Sequence, residues 1–551
     1  MTDSRLGPLL ACIATLLFAG CLFWHLEYPL LWADEAETAM FARHVAQYGY
    51  PKVHGGRNVV YQFGPNIAVG VKESSDAYIG TTWGHLYFAV PGLLWARGSE
   101  DLYAKTLRLR LPFALAGAAG VGLWVWALLP GVSGGRERRW RFAAAYLLAA
   151  AVSVSLVLHL REVRYYALLV LLAAVIAREH LGYGVFGGVA YRRWALSLPL
   201  LLFLLFNVFF QAFFAFAALL GLERLVAVAR GRAQPRDLLP LIASGLMVAP
   251  LLVYYETFQT ARAFAESFRF GPGDFLVNLT SVTGHLLRYE FLLPALLCRA
   301  GVLVLRAGDA AGPRAAWRLL AFAAGYVAVL CLNPLPLERY FVVLSPLLAG
   351  AFLLDAFSLT AAVAERAAAG RRRRAGALAA AAVALLTVVC RAPSLEELSG
   401  RLQELRTPNR GPLDFAIPLL RERYPEPEKL VIATNYEEYA FMYYLDSHVI
   451  IGLALNNLAR DQRMQPDVVV PRRRWPRSLQ ALRPMLAGGG WEEERVPVRD
   501  THHNNFPALS RTPFTPDPHR FVTPATDDPA EQLVLYLRTS ARAPSDAAAE
   551  P

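Results

Sequence analysis

The sequence predicts a mainly α-helical, polytopic transmembrane bundle of about eleven spans, followed by a smaller C-terminal α/β domain. Three observations predict it. Of the 551 residues, 55% are hydrophobic, and the mean hydropathy is +0.33. Apolar runs suited to a hydrocarbon core of about 30 Å recur throughout residues 6–391. After Ala392 charged residues and prolines rise, and short β-like runs alternate with a helical stretch.

Taken in order, the apolar runs place helices near 6–31, 107–130, 142–160, 165–178, 194–207, 209–228, 238–255, 290–306, 317–333, 340–358 and 375–391. Arginine groups at 136–141, 192–193, 230–236, 306–318 and 366–374 all land on one side when these spans alternate. Basic residues in short loops stay cytoplasmic, which puts the N-terminus inside and everything after residue 392 outside. Leu17–Cys21 (LFAGC) loosely resembles a lipoprotein cleavage site, but the apolar character continues to Trp32 and reads as an uncleaved span. Only four of the 55 basic residues are lysines, a bias that fits a GC-rich bacterium and hence a bacterial cytoplasmic membrane with the α/β domain in the periplasm. The net charge of +11 is a topology signal, and nucleic acid is set aside as a partner. Cys12, Cys21, Cys298, Cys331 and Cys390 all lie within or at the ends of apolar spans, leaving no disulfide framework.

Three outer segments converge on one face. The first outer loop, 32–106, contains the apolar WGHLYFAVPGLLWA (Trp83–Ala96), too short to cross and read as a juxtamembrane or re-entrant helix. The others are 256–289 and the proline-rich 333–339. The membrane domain is 1–391. In the outer α/β domain, 392–540, the strand-like runs are KLVIATN (429–435), SHVIIG (447–452), DVVVP (467–471) and LVLYLR (533–538), with a helix-like EEYAFMYYL at 437–445. Residues 541–551 read as a disordered tail.

Chemistry-bearing residues gather at the outer mouth of the bundle. Trp32–Tyr50 places Asp34 and Glu35 where the first span leaves the bilayer, with Ala36, Met40, Val45 and Tyr48 at helical spacing. That is a carboxylate pair held at the membrane surface by an amphipathic helix. Such acids are costly without a task or a partner; otherwise they mark where water begins. In HLREVRYYALL (159–169), Arg161 and Arg164 share a helical face and Tyr165 lies four residues from Arg161. Two fixed cations and a phenol suit a phosphate, against a reading as interfacial anchors. In LNPLPLERYFVVL, Glu338, Arg339 and Tyr340 make a second cationic point stiffened by Pro334 and Pro336, unless Glu338 and Arg339 serve a structural ion pair. Lys72, His85, Arg288 and Tyr289 are looser candidates for substrate contact. His502 and His503 are adjacent and lack a third ligand at a recognisable spacing, so no metal site is assigned there. No P-loop, dinucleotide fingerprint or nucleophile elbow stands in a supporting context.

The Trp32-Ala33-Asp34-Glu35 stretch after a first span, Arg164-Tyr165-Tyr166 at the outer end of an early helix pair, and Glu338–Phe341 before a late span together resemble the GT-C superfamily of integral membrane glycosyltransferases. The resemblance covers roughly residues 5–390 and is nearest to the protein O-mannosyltransferases and the enzyme that adds aminoarabinose to lipid A. It implies a polyprenyl-phosphate sugar donor, transfer on the outer face, and inversion. Asp34 would be the general base, with Glu35 orienting the loop or the acceptor; Arg164 and Arg339, with Arg161, would hold the departing lipid phosphate, beside Tyr165 and Tyr340. A leaving phosphate needs preorganised cations, and a hydroxyl acceptor needs a carboxylate within hydrogen-bond reach. No cofactor is firmly implied, and a divalent metal is left open. The acceptor is an envelope lipid, a glycan or a protein. The first outer loop has Lys72 but no Lys-Pro-Pro stretch of the lipid A enzyme, and the outer domain differs from that of the mannosyltransferases, which leaves sugar and acceptor open.

The reading from another class is a transporter or flippase of lipid-linked saccharides. It calls for broken helices near mid-membrane and related halves, whereas this chain concentrates polar residues at one face. A third reading makes the outer domain a binding module, so that deleting 400–551 leaves the membrane site formed.

Overall fold

The computed structural model describes residues 6–61, 70–267, 269–307, 310–367, 371–455, 457–473, 476–487, 489–500 and 525–539. His502, His503 and the tail 541–551 lie outside them.

The chain opens on α1 (Leu6–Phe23). The first apolar run, 6–31, leaves the helix early: His25 adopts a left-handed backbone (φ 53°), and Pro29 has no N–H to give. Residues 24–32 therefore run irregularly to α2 (Ala33–Tyr48). Two hairpins follow, β1 (His54–Gly55) with β2 (Asn58–Val59) and β3 (Val71–Lys72) with β4 (Ala77–Tyr78), then α3 (Gly84–Ala96). The bundle continues through α4 (Leu102–Leu128), α5 (Arg136–Val152), α6 (Val154–Leu160), α7 (Tyr166–Leu181), α8 (Tyr191–Val208), α9 (Phe210–Ala229), α10 (Leu239–Tyr254), α11 (Thr257–Ser267) and α12 (Pro272–Tyr289). It closes with α13 (Leu292–Val304), α14 (Ala311–Leu330), α15 (Leu344–Arg366) and α16 (Arg372–Arg391).

Each of the eleven apolar runs contains helix, the first only as far as Phe23. Among the described residues, seven helices are long and apolar enough to cross a membrane, or eight if α5 and α6 count as one span bent by 81°. The bend divides the run 142–160 at Ser153, whose hydroxyl oxygen accepts from the Leu156 N–H and caps α6, and whose hydroxyl donates to Glu290. Large apolar side chains such as Leu246 on α10 and Leu378 on α16 are about 70% exposed, a surface that lipid and not water would cover. The stretch Trp83–Ala96 is a short helix, as expected. A Cβ on Gly92 would meet the Arg108 carbonyl at 2.8 Å, so glycine there lets α3 lie directly on the backbone of α4.

In the C-terminal part, α17 (Leu395–Glu404) and α18 (Leu413–Arg423) lead to β5 (Val431–Thr434), α19 (Glu438–Leu445), β6 (His448–Ile451), α20 (Leu458–Asp461), β7 (Val468–Val470), α21 (Pro476–Leu486), β8 (Trp491–Arg499) and β9 (Gln532–Arg538). The five strands form one sheet in the order β6-β5-β7-β9-β8, parallel across β6, β5 and β7 and antiparallel at β9 and β8. The four strand-like runs of the sequence fall on β5, β6, β7 and β9, and the helix-like one on α19. Strand β8, WEEERVPVR, was not anticipated. It is an edge strand in which only Val496 and Val498 are buried, so its composition hides it.

α2 departs from the amphipathic surface helix that its spacing suggests. Glu35 to Ala42, His44 and Val45 are all buried, because α3 packs on one side and α19 on another. One hydrophobic core runs from the bundle into the sheet domain. The Leu31 N–H donates to the Tyr444 hydroxyl and the Leu30 N–H to Asp414 Oδ1, each at 3.0 Å, while the Tyr439 hydroxyl donates to the Tyr61 carbonyl. Position 391/392 is thus a boundary of composition, and packing crosses it.

Candidate active site

The site is built on the N-terminus of α2. Trp32 sits in extended conformation before it, which brings Asp34 and Glu35 into the first turn, where the helix dipole favours carboxylates. Neighbouring residues on a helix diverge by about 100°, and these two go to different partners. Glu35, fully buried, accepts from Arg110 Nε (2.9 Å) and Nη2 (2.6 Å) of α4 and from the Val163 N–H (2.9 Å). The remaining Arg110 nitrogen donates to the carbonyls of Leu26, Tyr28 and Pro29. Glu35 therefore clamps the irregular segment 24–32 and the α6–α7 connection onto α4.

Asp34 faces the opposite way, into a pair of cations. Its Oδ2 is 3.1 Å from Arg339 Nη2 and 3.7 Å from Arg164 Nη2. Arg164 is fixed by its other terminal nitrogen, which donates to the Asp34 carbonyl (3.2 Å), Glu37 Oε2 (3.1 Å) and Thr38 Oγ1 (3.1 Å). Arg339 comes from a short 3-10 turn, Glu338–Phe341, with its guanidinium over the Trp32 ring at 5.1 Å. Burial opposes the charge of both arginines, yet Asp34 and then Glu37 hold the Arg164 pKa above the ordinary range, and Tyr166 and then Asp34 do so for Arg339.

An aromatic wall backs the cations. Tyr165 stacks on Phe209 at 4.5 Å, Phe209 is 5.4 Å from Tyr340, and the two tyrosines share a side-chain hydrogen bond. His85, buried on α3, meets Tyr165 edge-on at 5.6 Å; burial first and then Arg164 push its pKa well down, so the ring is neutral. It is not the solvated loop residue that its place in the first outer loop suggests.

Other candidates separate from this group. Residues 161–165 form a turn between α6 and α7, not a helical face, so Arg161 and Arg164 part company. Arg161 pairs with Glu404 of α17 at 3.2 Å and donates to the carbonyls of Trp24 and His25. Glu338 accepts from Ser155 Oγ at 2.7 Å and lies 3.9 Å from His285, while Arg339 pairs with Asp34. Lys72 pairs with Glu256 at 2.6 Å, and Arg288 is exposed with its guanidinium over Tyr289. These contacts, with Arg339 to Asp34, tie all three outer segments together.

Two carboxylates at the site had not been singled out. Glu37 lies three residues from Asp34 on the same helix, and its carboxyl is pushed up to about 8 by burial, with Arg164 opposing and Asp34 adding. Glu162, fully buried, has both oxygens without a hydrogen bond among the described residues and stands 3.5 Å from His159 Nδ1. Burial and then the charge of Glu35 hold its carboxyl well above the usual range. Its place between Arg161 and Arg164 was the signal available in the sequence. Among the described residues, no group of three or more His, Cys, Asp or Glu stands close enough to hold a metal ion. The cluster can hold an anion between two guanidinium groups and present a carboxylate beside it.

No family model matches the chain, and no curated protein matches it in sequence. Solved structures do match in fold. The chain is similar to the archaeal oligosaccharyltransferase AglB from Archaeoglobus fulgidus in complex with an inhibitory peptide and a dolichol-phosphate. The identity is 12%, the match covers 85% of this chain and 69% of that one, and the TM-score is 0.52. A second structure, the Archaeoglobus fulgidus oligosaccharyltransferase in complex with zinc and sulfate, aligns at 12% identity over 84% of this chain and 68% of that one, with a TM-score of 0.47. The likeness to the first of these structures is one of fold: a helical bundle with apolar spans and a small sheet domain near the C-terminus.

Proposed function

We propose that this chain is an inverting glycosyltransferase that moves a sugar from a polyprenyl-phosphate carrier to a hydroxyl of a lipid, glycan or protein. In this reading the bundle crosses a bacterial cytoplasmic membrane about eleven times and carries Asp34 and the sheet domain on the outer side, as the arginine-rich short loops require. The observation that carries the reading is the meeting of Asp34 with Arg164 and Arg339. The fold likeness supports it, since the oligosaccharyltransferase of that structure holds a dolichol-phosphate and a peptide.

The donor phosphate enters between the two guanidinium groups and replaces Asp34 as their counter-charge. Asp34, released from its ion pairs, then accepts the proton of the acceptor hydroxyl as that oxygen attacks the anomeric carbon. The bond from that carbon to the phosphate oxygen breaks with its electron pair on the oxygen, where the fixed forks of Arg164 and Arg339 stabilise the growing charge. Tyr165 and Tyr340 stand beside these cations to donate to the same phosphate. Glu35 works through Arg110 by holding the first turn of α2 in place, and Arg161 by holding α17 to the segment that precedes it. His85 and Glu338 position Tyr165 and the Arg339 turn. In this reading Lys72 and Arg288 contact substrate from the first and second outer segments.

The test compares membranes of cells carrying the wild-type protein with membranes carrying Asp34→Asn, by mass spectrometry of lipids, glycans and glycoproteins. The expected result is loss of one sugar-sized increment from a defined species together with accumulation of the polyprenyl-phosphate sugar. An unchanged profile, with the variant present in the membrane, would remove the transferase reading and bring the transporter reading forward.

A further inference from the structure

The end of the bundle far from Asp34 carries a second enclosed polar site. The span Tyr166–Phe186 starts beside Tyr165 and rises about 30 Å from it. α9 begins next to Phe209, on the Tyr165 ring, and runs the same way. Where the far ends of these helices meet the start of α10 and of α14 lies a cavity of about 690 Å³. Five arginines line it, Arg224, Arg230, Arg232, Arg236 and Arg318, against the carboxylates Glu223 and Asp237.

Those two carboxylates are already engaged. Glu223 is held by His180 (2.8 Å), Arg224 (2.9 Å) and Arg318 (3.2 Å), and Asp237 accepts from the Tyr183 hydroxyl (3.0 Å). Arg230, Arg232 and Arg236 have no carboxylate within ion-pair distance among the described residues, and Arg224, only 4% exposed, keeps a buried Nε without a hydrogen bond. The other wall is apolar and reaches the outside of the bundle: Leu222 and Trp317 line it and are more than half exposed.

We propose that this cavity binds the phosphate headgroup of an anionic phospholipid from the leaflet opposite the Asp34 face, with its acyl chains along Leu222 and Trp317. Guanidinium forks match phosphate oxygens. The surplus of cations favours a lipid with net negative charge over a zwitterionic one, and the exposed apolar lining at Leu222 and Trp317 favours a lipid over free phosphate. Basic short loops account for the positive charge of Arg230, Arg232 and Arg236; the buried Arg224 behind them is paired with Glu223 and still keeps an Nε without a hydrogen bond among the described residues.

The test uses the full-length protein in detergent and the variant Arg230→Gln/Arg232→Gln/Arg236→Gln, whose substituted side chains are exposed, Arg236 lying over the Tyr191 ring. Thermal unfolding is followed with added phosphatidylglycerol micelles, phosphatidylcholine micelles or inorganic phosphate. Phosphatidylglycerol should raise the wild-type Tm more than either control, and the variant should need on the order of a hundredfold more of it for the same shift. An equal shift from phosphatidylcholine or from phosphate alone, or an unaltered response in the variant, overturns the proposal. Should the triple variant fail to accumulate, Arg232→Gln with mass spectrometry of retained phospholipid replaces it. Loss of retained phosphatidylglycerol supports the site, and unchanged retention overturns it.

Discussion

Arg339 and Asp34, drawn from the third and first outer segments, meet at 3.1 Å with the Arg339 guanidinium lying over Trp32, the residue from which α2 starts. The contact closes the late end of the bundle onto the first turn of α2. It also keeps the proposed base and the proposed phosphate clamp neutralised by each other until a substrate separates them.

Asp34→Asn keeps the shape of the side chain and removes its charge and basicity. Transfer from a polyprenyl-phosphate sugar should fall by about a hundredfold to ten-thousandfold, the usual contribution of a positioned base. Donor affinity should be retained or improved, because the carboxylate no longer competes for the two arginines. Turnover and equilibrium binding measured on the same purified variant check both halves, and near-normal turnover would rule out Asp34 as the base.

Arg164→Ala and Arg339→Ala should each weaken both donor binding and turnover, with a combined loss of roughly 3 kcal/mol in kcat/KM, as when a preorganised electrostatic group is deleted. Arg161→Ala should behave differently. Its partners are Glu404 and two carbonyls of the 24–32 segment, so thermal stability should fall while the donor affinity of the folded fraction stays the same. Titrating a non-transferable polyprenyl phosphate into the three variants separates the roles.

What the sequence let one read at this site, and what it hid, follows from the range of each interaction. Asp34, Arg164 and Arg339 stand out because charged residues beside apolar runs are costly and local. The partner of Glu35 does not: Arg110 sits inside the first third of α4 in an apolar stretch, and only the folded bundle brings it to α2. The same holds for α2 itself. Its residue spacing fits a helix lying on lipid, and nothing within it announces that α19, some four hundred positions later, would bury its open face. Arg161 and Arg164 do not share a helical face, because a turn, not a helix, joins α6 to α7. Strand β8 escaped notice because an edge strand needs pairing and only a little burial.

Glu35→Gln tests whether the carboxylate next to Asp34 is structural. It leaves Arg110 charged, 1% exposed and without its counter-charge. Breaking one side of a buried pair costs about 3–5 kcal/mol, so the variant should melt far below wild type, in contrast to Asp34→Asn. A Glu35→Gln protein of normal stability but lost activity would instead place Glu35 in the chemistry.

The stability of the protein should depend on pH through Glu37. Burial, despite Arg164, pushes its carboxyl up to about 8, whereas an unfolded glutamate titrates near about 4.3. Between those values the folded chain holds a proton that the unfolded chain has released, so this contribution is complete at low pH and is lost as pH rises to about 8. The slope is at most about 1.4 kcal/mol per pH unit. Glu37→Gln should flatten the fall of Tm between about pH 5 and 8, leaving a smaller slope from Glu162 and Glu438, whose carboxyls burial also raises. An unchanged slope would mean that Glu37 is ionised in the folded chain.

Deleting residues 400–551 should destroy the membrane site and not merely detach an accessory module. The truncation removes α19 from the buried face of α2, Tyr444 from the Leu31 N–H, and Asp414 from the Leu30 N–H. It also removes Glu404 and Arg401, which hold Arg161 and the Cys21 carbonyl at the end of α1. The segment 24–35 that presents Asp34 would then keep its Arg110 clamp but lose its outer support. The expected outcome is a truncated protein that inserts into the membrane yet fails to bind the polyprenyl-phosphate donor and is cleaved by added protease within residues 24–48. Donor binding by the truncated protein at wild-type affinity would show instead that the bundle alone holds α2, and that the sheet domain acts only on the acceptor.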